Sequence, residues 1–189
     1  MNRAASRSFW AFLALGSALV AATAVATHAT PRTAGDGPES FEGKPAPEVS
    51  LKTLDGKDFK LSALKGNVVL VDYWATWCPP CRASLPHINE LANDKDLTAK
   101  GLSVFAVDNG EAAGDVKAFV TLNKYTFPVV LDPEAQLGKT YGVTGIPTTL
   151  LIGRDGTVKK VFVGFDPAST PGEMTAKIKE LLAEPAPAK

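Results

Sequence analysis

The sequence predicts an α/β fold in which a central mixed sheet is flanked by helices, with a β-hairpin added on the N-terminal side. Three observations predict it. A continuous β-branched and apolar run stands at Val68-Val69-Leu70-Val71, helically spaced apolar residues follow it, and a second hairpin near the end precedes one more amphipathic helix. Strands alternating with helices and a final hairpin imply a mixed sheet covered by helices.

Taken in order, Val49-Ser50-Leu51 and Phe59-Lys60-Leu61 flank Leu54-Asp55-Gly56-Lys57 and predict the N-terminal hairpin, turning at Asp55-Gly56. The run 68–71 has no polar alternation, as expected of a strand buried on both faces. From Pro79 to about Asp96, Leu85, Ile88, Leu91 and Ala92 recur at helical spacing and predict one helix, kinked at Pro86. His87 falls off that stripe and is expected to face solvent. Residues 102–107 read as a strand, 112–122 as a helix, 129–131 as a short strand and 136–141 as a short helix. Residues 148–152 and 158–163, joined through Arg154-Asp155-Gly156, predict an antiparallel hairpin. Residues 170–183 close the chain as a helix with Met174, Ile178, Leu181 and Leu182 on one side. No internal repeat is visible.

The 189 residues suffice for one domain with extensions. Arg3 and Arg7 precede an uncharged, mostly apolar run at 9–26, and small residues follow it. Residues 1–29 therefore read as a signal peptide or as a retained membrane anchor, with the domain outside the cytoplasm in either case. The Gly- and Pro-rich stretch 30–44 reads as a linker, 45–183 as the folded domain and 184–189 as a flexible tail. Lys plus Arg and Asp plus Glu balance at 20 each, and no basic arm or stripe is present, which argues against a nucleic-acid partner.

The chemistry is concentrated at two cysteines, Cys78 and Cys81, in Trp74-Ala75-Thr76-Trp77-Cys78-Pro79-Pro80-Cys81. A pair this close encloses too short a loop to stabilise the fold appreciably. Pro79 suits a first helical position, which puts Cys78 at a helix N-terminus, where partial positive charge favours a thiolate. Cys78 is then the attacking nucleophile, and Cys81, one turn on, can resolve the mixed disulfide. Pro79 and Pro80 both lack an N–H, so thiolate stabilisation should be moderate and the pair should reduce or exchange rather than strongly oxidise. Asp72, behind the motif, reads either as a buried acid that takes the Cys81 proton or as an acid satisfied by hydrogen bonds. A zinc site is disfavoured, because the other candidate ligands reduce to His28 and His87. No cofactor is called for.

The motif resembles the thioredoxin superfamily, and more closely its extracytoplasmic TlpA/ResA-like branch. The resemblance runs over about residues 45–183. It is carried by Val71-Asp72-Tyr73-Trp74 through Cys81, by Pro86, by Phe127-Pro128-Val129-Val130-Leu131-Asp132, and by Tyr141-Gly142-Val143-Thr144-Gly145-Ile146-Pro147-Thr148. It implies a thioredoxin-like fold, a cis Pro147 beside the cysteines, a functional Asp72, and substrate contacts at Trp77, Pro79, Ile146 and Pro147, with the Ile146 backbone pairing with an extended peptide. It further implies disulfide-containing exported proteins as substrates, apocytochrome c and copper-site proteins among them, and a membrane thiol-transporting reductase as electron donor. Many such relatives carry Glu where this chain has Ser84, which weakens transfer of the cytochrome-maturation role. Two rival readings are a thiol peroxidase, against which the Trp-Cys-Pro-Pro-Cys arrangement argues, and a Cu(I)-binding delivery module using the same thiols.

Overall fold

Strand β3 (Val68–Trp74) is buried along its whole length and lies inside the sheet. Its neighbours account for this. It pairs in parallel with β4 (Leu102–Asp108) and antiparallel with β6 (Thr148–Ile152), so both edges and both faces are covered. The computed structural model describes residues 37–185. The signal-or-anchor segment 1–29 lies outside the described residues, and among those described no helix is long and apolar enough to cross a membrane.

The remaining strands are β1 (Ser50–Thr53), β2 (Asp58–Lys60), β5 (Val129–Leu131) and β7 (Val158–Val163). Together the strands form one 7-stranded mixed sheet in the order β2-β1-β5-β4-β3-β6-β7. Strands β3, β4 and β5 run parallel, and the other pairs are antiparallel. The N-terminal hairpin forms as the sequence predicts, with Leu51 opposite Phe59 and Gly56 at φ +84° in the turn, a backbone region that suits glycine. It joins the sheet by pairing β1 with β5, Lys52 opposite Leu131.

Alternation along β3 sorts its side chains to two faces. Val68, Leu70 and Trp74 meet Leu85, Ile88 and Leu91 of α1 (Pro79–Asn93), Val116 and Val120 of α3 (Ala113–Leu122), and Met174, Ile178 and Leu181 of α5 (Thr170–Ala183). Val69, Val71 and Tyr73 meet Leu137 and Tyr141 of α4 (Gln136–Tyr141), together with Phe41 and Phe59. By the same parity Asp72 belongs with Leu70 and Trp74, on the α1 face. That places a carboxyl group in an apolar layer beneath the helix that carries the cysteines.

Three expectations need correction. The single helix 79–96 is two: α1 ends at Asn93, and Asp94 caps a separate α2 (Lys95–Ala99) by accepting hydrogen bonds from the N–H groups of Asp96 and Leu97. His87 does not face solvent. Its Nε2 lies 3.3 Å from the Thr175 hydroxyl of α5 and its Nδ1 3.5 Å from Glu90, with 17% of the side chain exposed; α5 covers a flank that the α1 spacing alone leaves open. Packing also begins upstream of residue 45. A 3₁₀ turn at Pro38–Phe41 buries Phe41, whose ring centroid is 4.9 Å from that of Tyr141. Just after it, the Gly43 N–H donates to the Val158 carbonyl, the Val158 N–H to the Lys44 carbonyl, and the Val161 N–H to Glu42.

Candidate active site

Helix α1 starts where the buried β3 ends, so its first turn is delivered to the sheet's carboxyl edge by a short loop, residues 75–78. Cys78 is the N-cap, and Pro79 and Pro80 fill the first two helical positions. Neither proline has an N–H, so the first donor available to the cap is Cys81, whose N–H points at the Cys78 Sγ at 3.2 Å. Cys78 and Cys81 are joined as a disulfide with their Cα atoms 5.2 Å apart. Both are buried, whereas Trp77 beside them is 64% exposed and Pro79 and Pro80 are exposed.

The other wall comes from the segment leading into β6. The Ile146–Pro147 peptide bond is cis, and the Ile146 carbonyl oxygen lies 3.6 Å from the Cys78 Sγ. Hydrogen bonds hold this segment on both sides: the Thr148 hydroxyl donates to the Gly145 carbonyl at 2.8 Å, and the Gly164 N–H to the Pro147 carbonyl at 2.8 Å. Chain positions 68 apart are thereby brought into contact at the sulfur.

Asp72 is completely buried. Its Oδ1 accepts a hydrogen bond from the Thr149 hydroxyl at 2.7 Å, and its Oδ2 has no partner among the described residues. Burial pushes its carboxyl up to about 6, and the Thr149 hydrogen bond offsets part of that rise. No hydrogen bond joins Asp72 to either cysteine. Ser84 is buried too, and its hydroxyl donates to the Cys81 carbonyl at 2.8 Å within α1. A short side chain tied to its own helix thus stands one turn after Cys81.

Behind the loop lies a group the sequence reading did not single out. Asp108 at the end of β4 accepts from the Glu111 N–H at 2.8 Å, and burial followed by the adjacent Glu111 carboxylate holds the Asp108 carboxyl well above its ordinary range. Glu111 in turn accepts from both the N–H and the hydroxyl of Thr76. Tyr73 donates to the Asn109 side chain at 2.7 Å. The available signal was positional: acids directly following a parallel strand stand at the sheet's carboxyl edge, where α/β proteins build their sites.

The Redoxin family model matches residues 41–180. The chain belongs to the Redoxin family. This Redoxin chain is 37% identical over 122 residues to the thiol-disulfide oxidoreductase ResA of Geobacillus thermodenitrificans, covering 65% of this chain and 69% of that one. The ResA of Bacillus subtilis is 40% identical over 130 residues, 68% of this chain and 71% of its own. Among solved structures, a Chlorobium tepidum chain provisionally assigned as the thiol:disulfide interchange protein DsbE superposes with a TM-score of 0.68 at 38% identity. That match covers 74% of this chain and 96% of the other. The fold is thioredoxin-like, and the Redoxin chain is a thiol-disulfide oxidoreductase.

Proposed function

We propose that this chain is exported and reduces or exchanges disulfides in extracytoplasmic proteins, with Cys78 as nucleophile, Cys81 as resolving thiol and Asp72 as proton acceptor. In the dithiol form the Cys78 thiolate attacks a substrate disulfide, forming a mixed disulfide and expelling one substrate thiolate. Cys81 gives its proton to Asp72 and attacks the Cys78 sulfur. The second substrate thiolate leaves and takes up a proton, and the chain is left with the Cys78–Cys81 disulfide. An external dithiol must then restore the reduced pair, and the resemblance points to a membrane thiol-transporting reductase.

The observation that carries this reading is the meeting of the Cys78 sulfur, at the start of α1, with the Ile146 carbonyl 3.6 Å away. A substrate strand running along Ile146-Pro147 would pass the sulfur, with the exposed Trp77 and Pro79 supplying apolar contact beside it. Residues 1–29 serve as the export signal or anchor. Proteins with cysteine pairs destined for cytochrome c or copper sites are the proposed substrates.

Trapping tests the assignment. A Cys81→Ser variant should accumulate a mixed disulfide with a model disulfide peptide, located on Cys78 by mass spectrometry, and Cys78→Ser should accumulate none. Equal trapping by both variants would remove the division of roles. Tight stoichiometric Cu(I) binding, with no disulfide exchange, would favour the delivery module instead.

A further inference from the structure

We propose that Glu111 is a positioning residue for the nucleophile: its carboxylate clamps Thr76 and so sets the loop that presents Trp77 and Cys78 to substrate. The inference rests on the reading of Cys78 as the attacking thiol. The loop between β3 and α1 has little else to hold it. Its own turn is closed by the Cys78 N–H donating to the Ala75 carbonyl at 3.3 Å, and its start is pinned by the Asn109 N–H donating to the Trp74 carbonyl at 2.8 Å. Among the described residues, the side-chain hydrogen bonds made to residues 75–77 come from Glu111 alone. One carboxylate oxygen takes the Thr76 N–H at 2.6 Å and the other takes its hydroxyl.

Two oxygens on one residue fix both the backbone and the side chain, which a single hydrogen bond cannot do. The clamp is itself braced. The Glu111 N–H donates to Asp108, which is buried in β4, and the neighbouring Asn109 accepts from Tyr73 of β3. The loop before Cys78 is therefore tied to the rigid centre of the sheet through residues 108–111. Attack on a disulfide requires the thiolate in line with the sulfur–sulfur bond. Small misplacements at such a step cost rate without costing stability in proportion.

The test is the rate of mixed-disulfide formation with a model disulfide peptide, measured in a Cys81→Ser background. Glu111→Ala should slow this step by about tenfold or more, while alkylation of Cys78 by iodoacetamide, which needs no aligned disulfide, changes little once rates are corrected for thiolate fraction. Glu111→Gln should recover most of the rate, because its amide can accept from the Thr76 N–H and donate to the Thr76 oxygen. Thr76→Val, which loses the hydroxyl and keeps the N–H, should fall between. It carries the test if Glu111→Ala fails to fold. Unchanged rates in Glu111→Ala or Thr76→Val would overturn the proposal. A Glu111→Gln variant as slow as Glu111→Ala would overturn it too, assigning the effect to charge. Absence of any adduct in the Cys81→Ser parent would instead sink the reading of Cys78.

Discussion

Asp72 is a carboxyl group with one hydrogen bond among the described residues, from Thr149, and no exposed surface. Its folded-state value of about 6 stands above the ordinary 3.8. The folded chain therefore keeps a proton that the unfolded chain has already released. The associated stability is fully present below about pH 4 and is lost as pH rises through about 6. Replacing Asp72 by Asn keeps an acceptor for Thr149 and removes the penalty of burying charge. Denaturant titrations should find Asp72→Asn more stable than the parent at pH 8, by at most about 3 kcal/mol, and no more stable at pH 3.5. If the acid also carries the Cys81 proton, the same substitution should slow release of product from the mixed disulfide by roughly a hundredfold while sparing its formation. A stabilised variant with an unchanged release rate would leave Asp72 with a structural role only. The pairing of Cys78 with Cys81 and the burial of Asp72 were legible in the sequence because all three lie within one short local pattern. Glu111 was not, because it meets Thr76 from 35 positions away, through a pairing of β3 with β4 that no local spacing encodes.

The start of α1 decides which backbone donors the Cys78 sulfur can receive. The N-cap sulfur of Cys78 has a donor in the Cys81 N–H, and the donor that the second helical position would ordinarily supply is missing because Pro80 stands there. Pro80→Ala restores that N–H. A further hydrogen bond to the thiolate stabilises the reduced form, so the reduction potential should become less negative by about 30 mV, as read by equilibration with glutathione. A potential left unchanged would mean that the added N–H does not reach the sulfur. The helices and strands around this point were largely legible, since the run 68–71 within β3 is apolar without alternation and α1 and α5 carry clear stripes. The break between α1 and α2 was not. Leu91 and Leu97 both join the core, so the apolar pattern runs across the gap, and only the side-chain cap at Asp94 separates the two helices. Short 3₁₀ turns such as Leu61–Leu64 leave no periodic trace at all.

For the whole molecule, the segment ahead of β1 contributes to stability and stands apart from the chemistry. Phe41 fills space beside Tyr141 on the face of the sheet opposite the α1 layer. Phe41→Ala should cost about 3 kcal/mol or more in unfolding free energy and leave the reduction potential where it was. A loss below about 1 kcal/mol would show that this segment merely rests on the domain. Composition hid this contact, because the glycines and prolines around Phe41 read as linker while the partner ring lies near position 140. The same separation conceals the second wall of the candidate active site. The motif at 74–81 and the Ile146-Pro147 segment are each recognisable alone, and the antiparallel pairing of β6 with β3 is what sets one against the other.

The reduction potential of the Cys78–Cys81 pair tests most directly whether this oxidoreductase works as a reductant. Equilibrated against glutathione or dithiothreitol, with the fluorescence of Trp74 and Trp77 as a readout, the pair should show a potential of roughly −200 mV or below, in the range of glutaredoxins and thioredoxin. A value near about −120 mV, that of a strong oxidant, would contradict the account and reverse the direction in which the chain passes electrons.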